Sequence, residues 1–156
     1  MPRDRHALHD AYALAVILAA ALAVAHTVRW KVPLASAIMF VSLLWASSLS
    51  VIVLRTTVVV MMLPVMMVCI IKYDAGTSAI LAMLGSLSVQ EFRIIRENNP
   101  PYLTALKLAL NRAITGLCAI SAWFAFHAIW PGRSLALGDP RFAVAAVVLG
   151  LVWVIV

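Results

Sequence analysis

Six stretches of this chain carry no Asp, Glu, Lys or Arg: residues 11–28, 32–54, 56–71, 75–90, 113–131 and 142–156. Their lengths are 18, 23, 16, 16, 19 and 15 residues. A helix needs roughly 20 apolar residues to cross the hydrocarbon core of a bilayer, with about 17 to 25 allowed. The first, second and fifth stretches meet that directly. The third reaches it by taking in Lys72 and Tyr73, which can sit at a membrane boundary. The sixth, FAVAAVVLGLVWVIV, is apolar to its last residue. The fourth, AGTSAILAMLGSLSVQ, is the weakest, with its glycines, serines and threonine. It reads as a short span, a re-entrant element or a helix buried among the others. The pattern therefore predicts an all-α, polytopic transmembrane bundle of about six helices, the fourth short or re-entrant. Residues 1–156 form a single integral membrane domain.

Composition agrees with that pattern. Hydrophobic residues make up 65% of the chain and charged residues 12%, with a mean hydropathy of +1.04. A soluble domain of this size leaves about a third of its surface wet and needs more polar residues to cover it. An ordinary soluble enzyme, a disordered chain and a two-domain soluble protein are excluded. The net charge of +6 would raise nucleic acid as a partner if the basic residues were clustered. They fall singly or in pairs between uncharged runs, so the partner they indicate is the lipid bilayer and not nucleic acid.

Six spans would put Arg3, Arg5, Arg55, Arg93, Arg96, Lys107 and Arg112 on one side. Arg29, Lys31, Lys72, Arg133 and Arg141 would lie on the other. The positive-inside rule then places the N-terminus in the cytoplasm of a multi-pass inner-membrane protein. The leader MPRDRHALHD looks superficially like the start of a signal peptide. The long apolar run behind it favours an uncleaved first helix. The final run ends on Val156 itself, and the expectation is a chain truncated at its C-terminus, with a short natural terminus as the other reading.

Small and special residues suggest how the helices meet. Ala11, Ala15, Ala19 and Ala23 recur every four positions, a smooth helix face. Ala105, Ala109 and Ala113 offer a second. Ser36, Ser42, Ser47, Ser48 and Ser50 are expected to bond their own helix or a neighbour. Pro64, among Met61, Met62, Met66 and Met67, predicts a kink. NNPPY at 98–102 and WPGRSLALGDPRF at 130–142 read as turns, and the fifth helix is expected to start ahead of its uncharged run.

No catalytic set is present: no carboxylate lies deep in an apolar run, and no nucleophile or phosphate-loop motif occurs. The chain is not read as an enzyme, and no metal or cofactor is expected. Cys69 and Cys118 lie in apolar surroundings and read as small hydrophobes. His6, His9 and Asp10 read as a wet leader; His26 and His127 as residues near span ends. The polar residues with the best claim to ligand binding or coupling are Asp74, Glu91, Arg93, Asn111 and Arg112. They sit at span boundaries, where Glu91 or Asp74 could pair with Arg112 if helix ends meet.

The stretch KYDAGTSAILAMLGSLSVQEFR, followed by NPPYLTALKLALNRAITGLCAISAWFAFHAIWPG, resembles the multi-span membrane domains ahead of bacterial HD-GYP phosphodiesterase and GGDEF diguanylate cyclase modules. Gly76, Gly85, Glu91, Arg93, Pro101, Tyr102, Asn111, Arg112 and Ala113 carry the resemblance, across roughly residues 34–132. The chain departs from it in having Asp74, Ala75 and Gly76 where a Gly-Pro pair often stands, and in lacking either module. The resemblance implies a noncatalytic sensory or regulatory input domain that couples helix packing to a cytoplasmic signalling partner, fused or separate. Two alternatives stay open. The six short spans and the Gly/Ser-rich fourth segment also resemble substrate-binding subunits of energy-coupling-factor vitamin transporters, which take a small-molecule ligand. A structural membrane assembly subunit is the third reading, and the oligomeric state is open.

Overall fold

In a computed structural model, the described residues are 3–29, 37–42, 50–53, 57–60, 62–86, 89–132 and 138–155. They form α1 (Arg3–Thr27), a helical stretch over residues 37–42 (α2), β1 (Ser50–Val53) and β2 (Thr57–Val60). Five helices follow: α3 (Met62–Lys72), α4 (Ala75–Gly85), α5 (Val89–Asn98), α6 (Pro101–Ile129) and α7 (Pro140–Ile155). The helical class expected from the sequence holds.

The second and third stretches depart from one helix each. β1 and β2 pair antiparallel, with Ser50 opposite Val60 and Val53 opposite Thr57. The local sequences are SVIV and TVVV, and β-branched runs of this kind favour an extended backbone over a helix. An open two-stranded pair leaves edge groups that hydrocarbon cannot satisfy. Six spans are thus not what the described residues display: two helices, His9–Thr27 within α1 and Pro101–Ile129, are long and apolar enough to cross a membrane. α3 begins only at Met62, so Pro64 falls in its first turn, where a missing N–H costs nothing. Of the serines, Ser42 donates from Oγ to Ile38 O at 2.9 Å, within its own helix. Ser36, Ser47, Ser48, Met61, Lys31, Arg55 and Arg133 lie outside the described residues.

α6 is the hub. Pro100 and Pro101 start it, twelve residues ahead of Ala113, and Trp130 and Pro131 end it. At about 1.5 Å per residue it is roughly 44 Å long. α1, α4, α5 and α7 all pack on it. α4 is the most enclosed element, with Ala75, Gly76, Thr77, Ser78, Ala79, Leu81, Ala82 and Gly85 buried. Of the three readings of the fourth stretch, the one observed is a short helix buried among the others. α3 and α4 fold back on each other at Tyr73 and Asp74, and Ser78 Oγ donates to Cys69 O at 3.1 Å. The core joins Met66, Cys69, Ile70 and Ile71 of α3 to Ala79 and Ala82 of α4. Ala119, Ala122 and Phe126 of α6 and Phe142, Ala145 and Leu149 of α7 complete it.

Small residues set the approach distances. On α6 the buried row is Ala113, Gly116, Ala119 and Ala122, at three-residue steps; Ala105 and Ala109 are exposed. On α1 the inward face is Ala13, Val16, Ile17, Ala20, Ala23, Val24 and Thr27, the 3.6-residue period of a helix. Ala11, Ala15 and Ala19 point outward. A strict four-residue row drifts around the helix, and only Ala23 of that row reaches the contact.

The tightest approach is at Gly76. A Cβ there would overlap the backbone N and Cα of Val28 and lie 2.7 Å from the carbonyl carbon of Thr27. A side chain cannot swing away from backbone atoms, so one end of α1 and the start of α4 must separate. Gly76→Ala is expected to destabilise the fold by about 2 kcal/mol, within the range of overpacked cores. Gly116→Ala meets only the flexible Met83 side chain and is expected to cost less. Thermal unfolding of both purified variants checks the order.

Candidate functional site

The helix packing defines two ends. Asp74 caps α4 at one of them. Its Oδ2 accepts from Thr77 N at 3.0 Å and its Oδ1 from Thr77 Oγ1 at 2.8 Å. The same Oδ2 accepts from Arg29 N at 3.3 Å, just beyond the end of α1. One carboxylate thus satisfies donors freed at the start of one helix and past the end of another. Trp123 Nε1 donates to Tyr73 O at 2.8 Å and joins α6 to the same turn. Trp123 stacks on His127 with ring centroids 4.1 Å apart. Phe142 meets Phe126 and Trp130 edge to face, each at 5.9 Å. This end is an aromatic collar with Arg29, Lys72 and Arg141 exposed around it.

The other end is built on the elbow between α5 and α6. Asn99 Nδ2 donates to Ile95 O at 2.8 Å and closes α5. Lys107 Nζ donates to Asn99 Oδ1 at 2.6 Å and ties that cap to α6. Thr104 is buried and donates from Oγ1 to Pro100 O at 3.1 Å. Arg112, about two turns further on, donates from Nη1 to Ser86 Oγ at the end of α4. Arg93 is exposed and pairs with Glu97 at 2.9 Å, a solvated pair of small energetic weight.

A cleft of about 540 Å³ opens beside this elbow, between the start of α1, α5 and α6. Its wall is Ala13, Ile95, Leu103, Leu106 and Leu110; its polar residues are His9, Asp10, Lys107 and Asn111. A second cleft of about 390 Å³ lies on the other flank of α5, lined by Phe92, Arg96 and Thr104 among others.

The five sequence candidates therefore do not form one site. Asn111, Arg112 and Arg93 gather at the α5 end, while Asp74 stands at the opposite end. Asp74 does not meet Arg112, because α4 separates them along its whole length: Asp74 caps its start and Ser86 ends it. Glu91 lies in α5, and its side chain is outside the described positions. His9 and Asp10, read as a wet leader, line the larger cleft. The available signal was their place directly before the first uncharged run. The Asn99–Lys107 pair and the Ser86 partner of Arg112 were also missed. Among the described residues, no group of three His, Cys, Asp or Glu side chains could hold a metal ion. Cys69 and Cys118 are free and buried.

Comparison with protein-family models, curated proteins and solved structures gives no match for this chain.

Asp74→Ala removes the cap of α4 and the acceptor for Arg29 N together. The expected loss is about 1 kcal/mol or somewhat more. Asp74→Asn keeps an acceptor oxygen and should recover most of it. Chemical denaturation of the two variants, followed by circular dichroism, reads the difference.

Proposed function

We propose that this chain is an integral membrane domain with a noncatalytic sensory or regulatory role, coupling helix packing to a cytoplasmic signalling partner. The observation that carries the membrane part is the outward face of α1. Only 11% of its apolar window is buried, and Leu14, Leu18 and Leu22 are 54%, 61% and 70% exposed. A core helix of a soluble protein would turn such a row inward. α7 likewise exposes Val144, Val147 and Leu151. Lipid is the solvent in which these faces are stable. α1 also belongs to the bundle, since Ala13 and Ala20 are buried and its end touches Gly76, which argues against a removable leader.

The regulatory part rests on the elbow. α5 is short and amphipathic, with Phe92, Arg93, Arg96 and Glu97 exposed, and it is held to the bundle through Asn99 and Lys107. A change in how α1, α4 and α6 pack would move it. With the N-terminus inside, α5 and its arginines face the cytoplasm, where a cyclic-dinucleotide enzyme of the resembled class would engage them. A transporter-type reading keeps one observation in its favour: an apolar-walled cleft with polar groups near one end of the bundle.

Two measurements test the proposal. Single cysteines at Arg93 and Lys72, in a background with Cys69 and Cys118 replaced, are expected to react with an impermeant maleimide from opposite sides of sealed inner-membrane vesicles. Reaction from the same side counts against the topology. Expression of the chain is then expected to change cellular cyclic-di-GMP, and Arg93→Glu with Arg96→Glu to abolish the change. An unchanged level, with a vitamin co-purifying, would move the assignment to the transporter class.

A further inference from the structure

The cleft between α1, α5 and α6 combines a carboxylate, an ammonium group and an apolar wall. Asp10 reaches it from α1 and Lys107 from α6. These two are not paired with each other; the Lys107 ammonium donates to Asn99 Oδ1 and has two further N–H donors. On α6, Leu103 and Leu106 precede Lys107 toward the elbow and Leu110 follows it further into the bundle, as Ala13 follows Asp10 on α1. These polar groups also stand at a boundary that the sequence fixes independently: the uncharged run of α1 begins at Ala11, directly after Asp10. In the membrane reading the level of Asp10 and Lys107 is the headgroup layer, and Ala13 and Leu110 stand beside the upper acyl chains.

We propose that this cleft binds a zwitterionic phospholipid of the ethanolamine class. The Lys107 ammonium takes the phosphate. The Asp10 carboxylate accepts N–H bonds from the lipid's primary ammonium. One acyl chain starts along Ala13 and Leu110. Charge decides between headgroups. An anionic glycerol headgroup has no cation for Asp10 and is repelled by it. A choline headgroup has the cation but no N–H donor. Of these three headgroups the ethanolamine one answers both side chains, and the cleft of about 540 Å³ has room for a headgroup and the first part of a chain. The inference rests on the membrane reading of the fold.

The test uses the full chain, purified in detergent and mixed with equal amounts of dioleoyl phosphatidylethanolamine, phosphatidylglycerol and phosphatidylcholine, with retention read by native mass spectrometry. The expected result is retention of the ethanolamine lipid about tenfold above the other two, the scale of one charge-assisted bond. Lys107→Ala should lower that retention about tenfold, and Lys107→Arg should restore it. Asp10→Asn should erase the preference over phosphatidylglycerol, and Asp10→Glu should keep it. Arg141→Ala, at the opposite end and outside the cleft, should behave as the parent chain. Equal retention of the three lipids, or an unchanged preference in Asp10→Asn, overturns the proposal. Failure of the membrane reading shows separately: carbonate would strip the chain from vesicles. A chain that stays embedded yet retains all three lipids alike overturns the lipid site alone.

Discussion

The rest of this fold depends on the close approach of the end of α1 to the start of α4. Gly76 brings the α4 backbone against Thr27 and Val28 with no room for a methyl group. Asp74 then closes the junction by accepting from Arg29 N and capping α4. The glycine sets the distance at which the carboxylate can reach both chains, and the carboxylate accepts from the part-buried Thr77 N–H and the exposed Arg29 N–H. α4 can be short because it is anchored at both termini: at Asp74 by this junction, and at Ser86 by Arg112.

Between these anchors the bundle is organised by α6. Its small residues admit α4, its aromatic residues meet α7 and the α3–α4 turn, and its first turns carry α5. Burial is therefore distributed unevenly. α4 is enclosed, while α1 and α7 each turn a row of Leu or Val outward. The enclosed helix is one of small, uncharged residues, and larger apolar side chains of α1 and α7 lie outside it.

Much of this was legible in the sequence, and the failures have physical causes. The uncharged runs located α1, α6 and α7, and the proline pairs located the start of α6. Hydropathy counting carries no information on backbone preference, so it merged SVIV and TVVV into flanking helices although both are β-branched. Asp74 was legible as a boundary charge. Its role as a cap lay in the spacing to Thr77, three residues on, which is a local signal. The junction of Ser86 with Arg112 spans 26 residues and Asn99 with Lys107 spans an elbow, so neither could be read from one segment. His9 and Asp10 acquire a role only because α1 and α6 run side by side, which sequence pattern alone does not state.

The composition of the α4 interface has a thermodynamic consequence. Its buried face is mostly alanine, glycine, serine and threonine, and the α6 row it meets is alanine and glycine. Alanine and glycine have no rotamers to freeze, so ordering them costs no side-chain entropy, whereas each large flexible side chain costs up to about 2 kcal/mol. The contact area they offer is small, and so is the entropic penalty of bringing them together. Docking and undocking of α4 against α6 are then governed by backbone geometry, with few side chains to rearrange on either path. A helix seated in this way can shift along its neighbour without first melting a set of locked conformers.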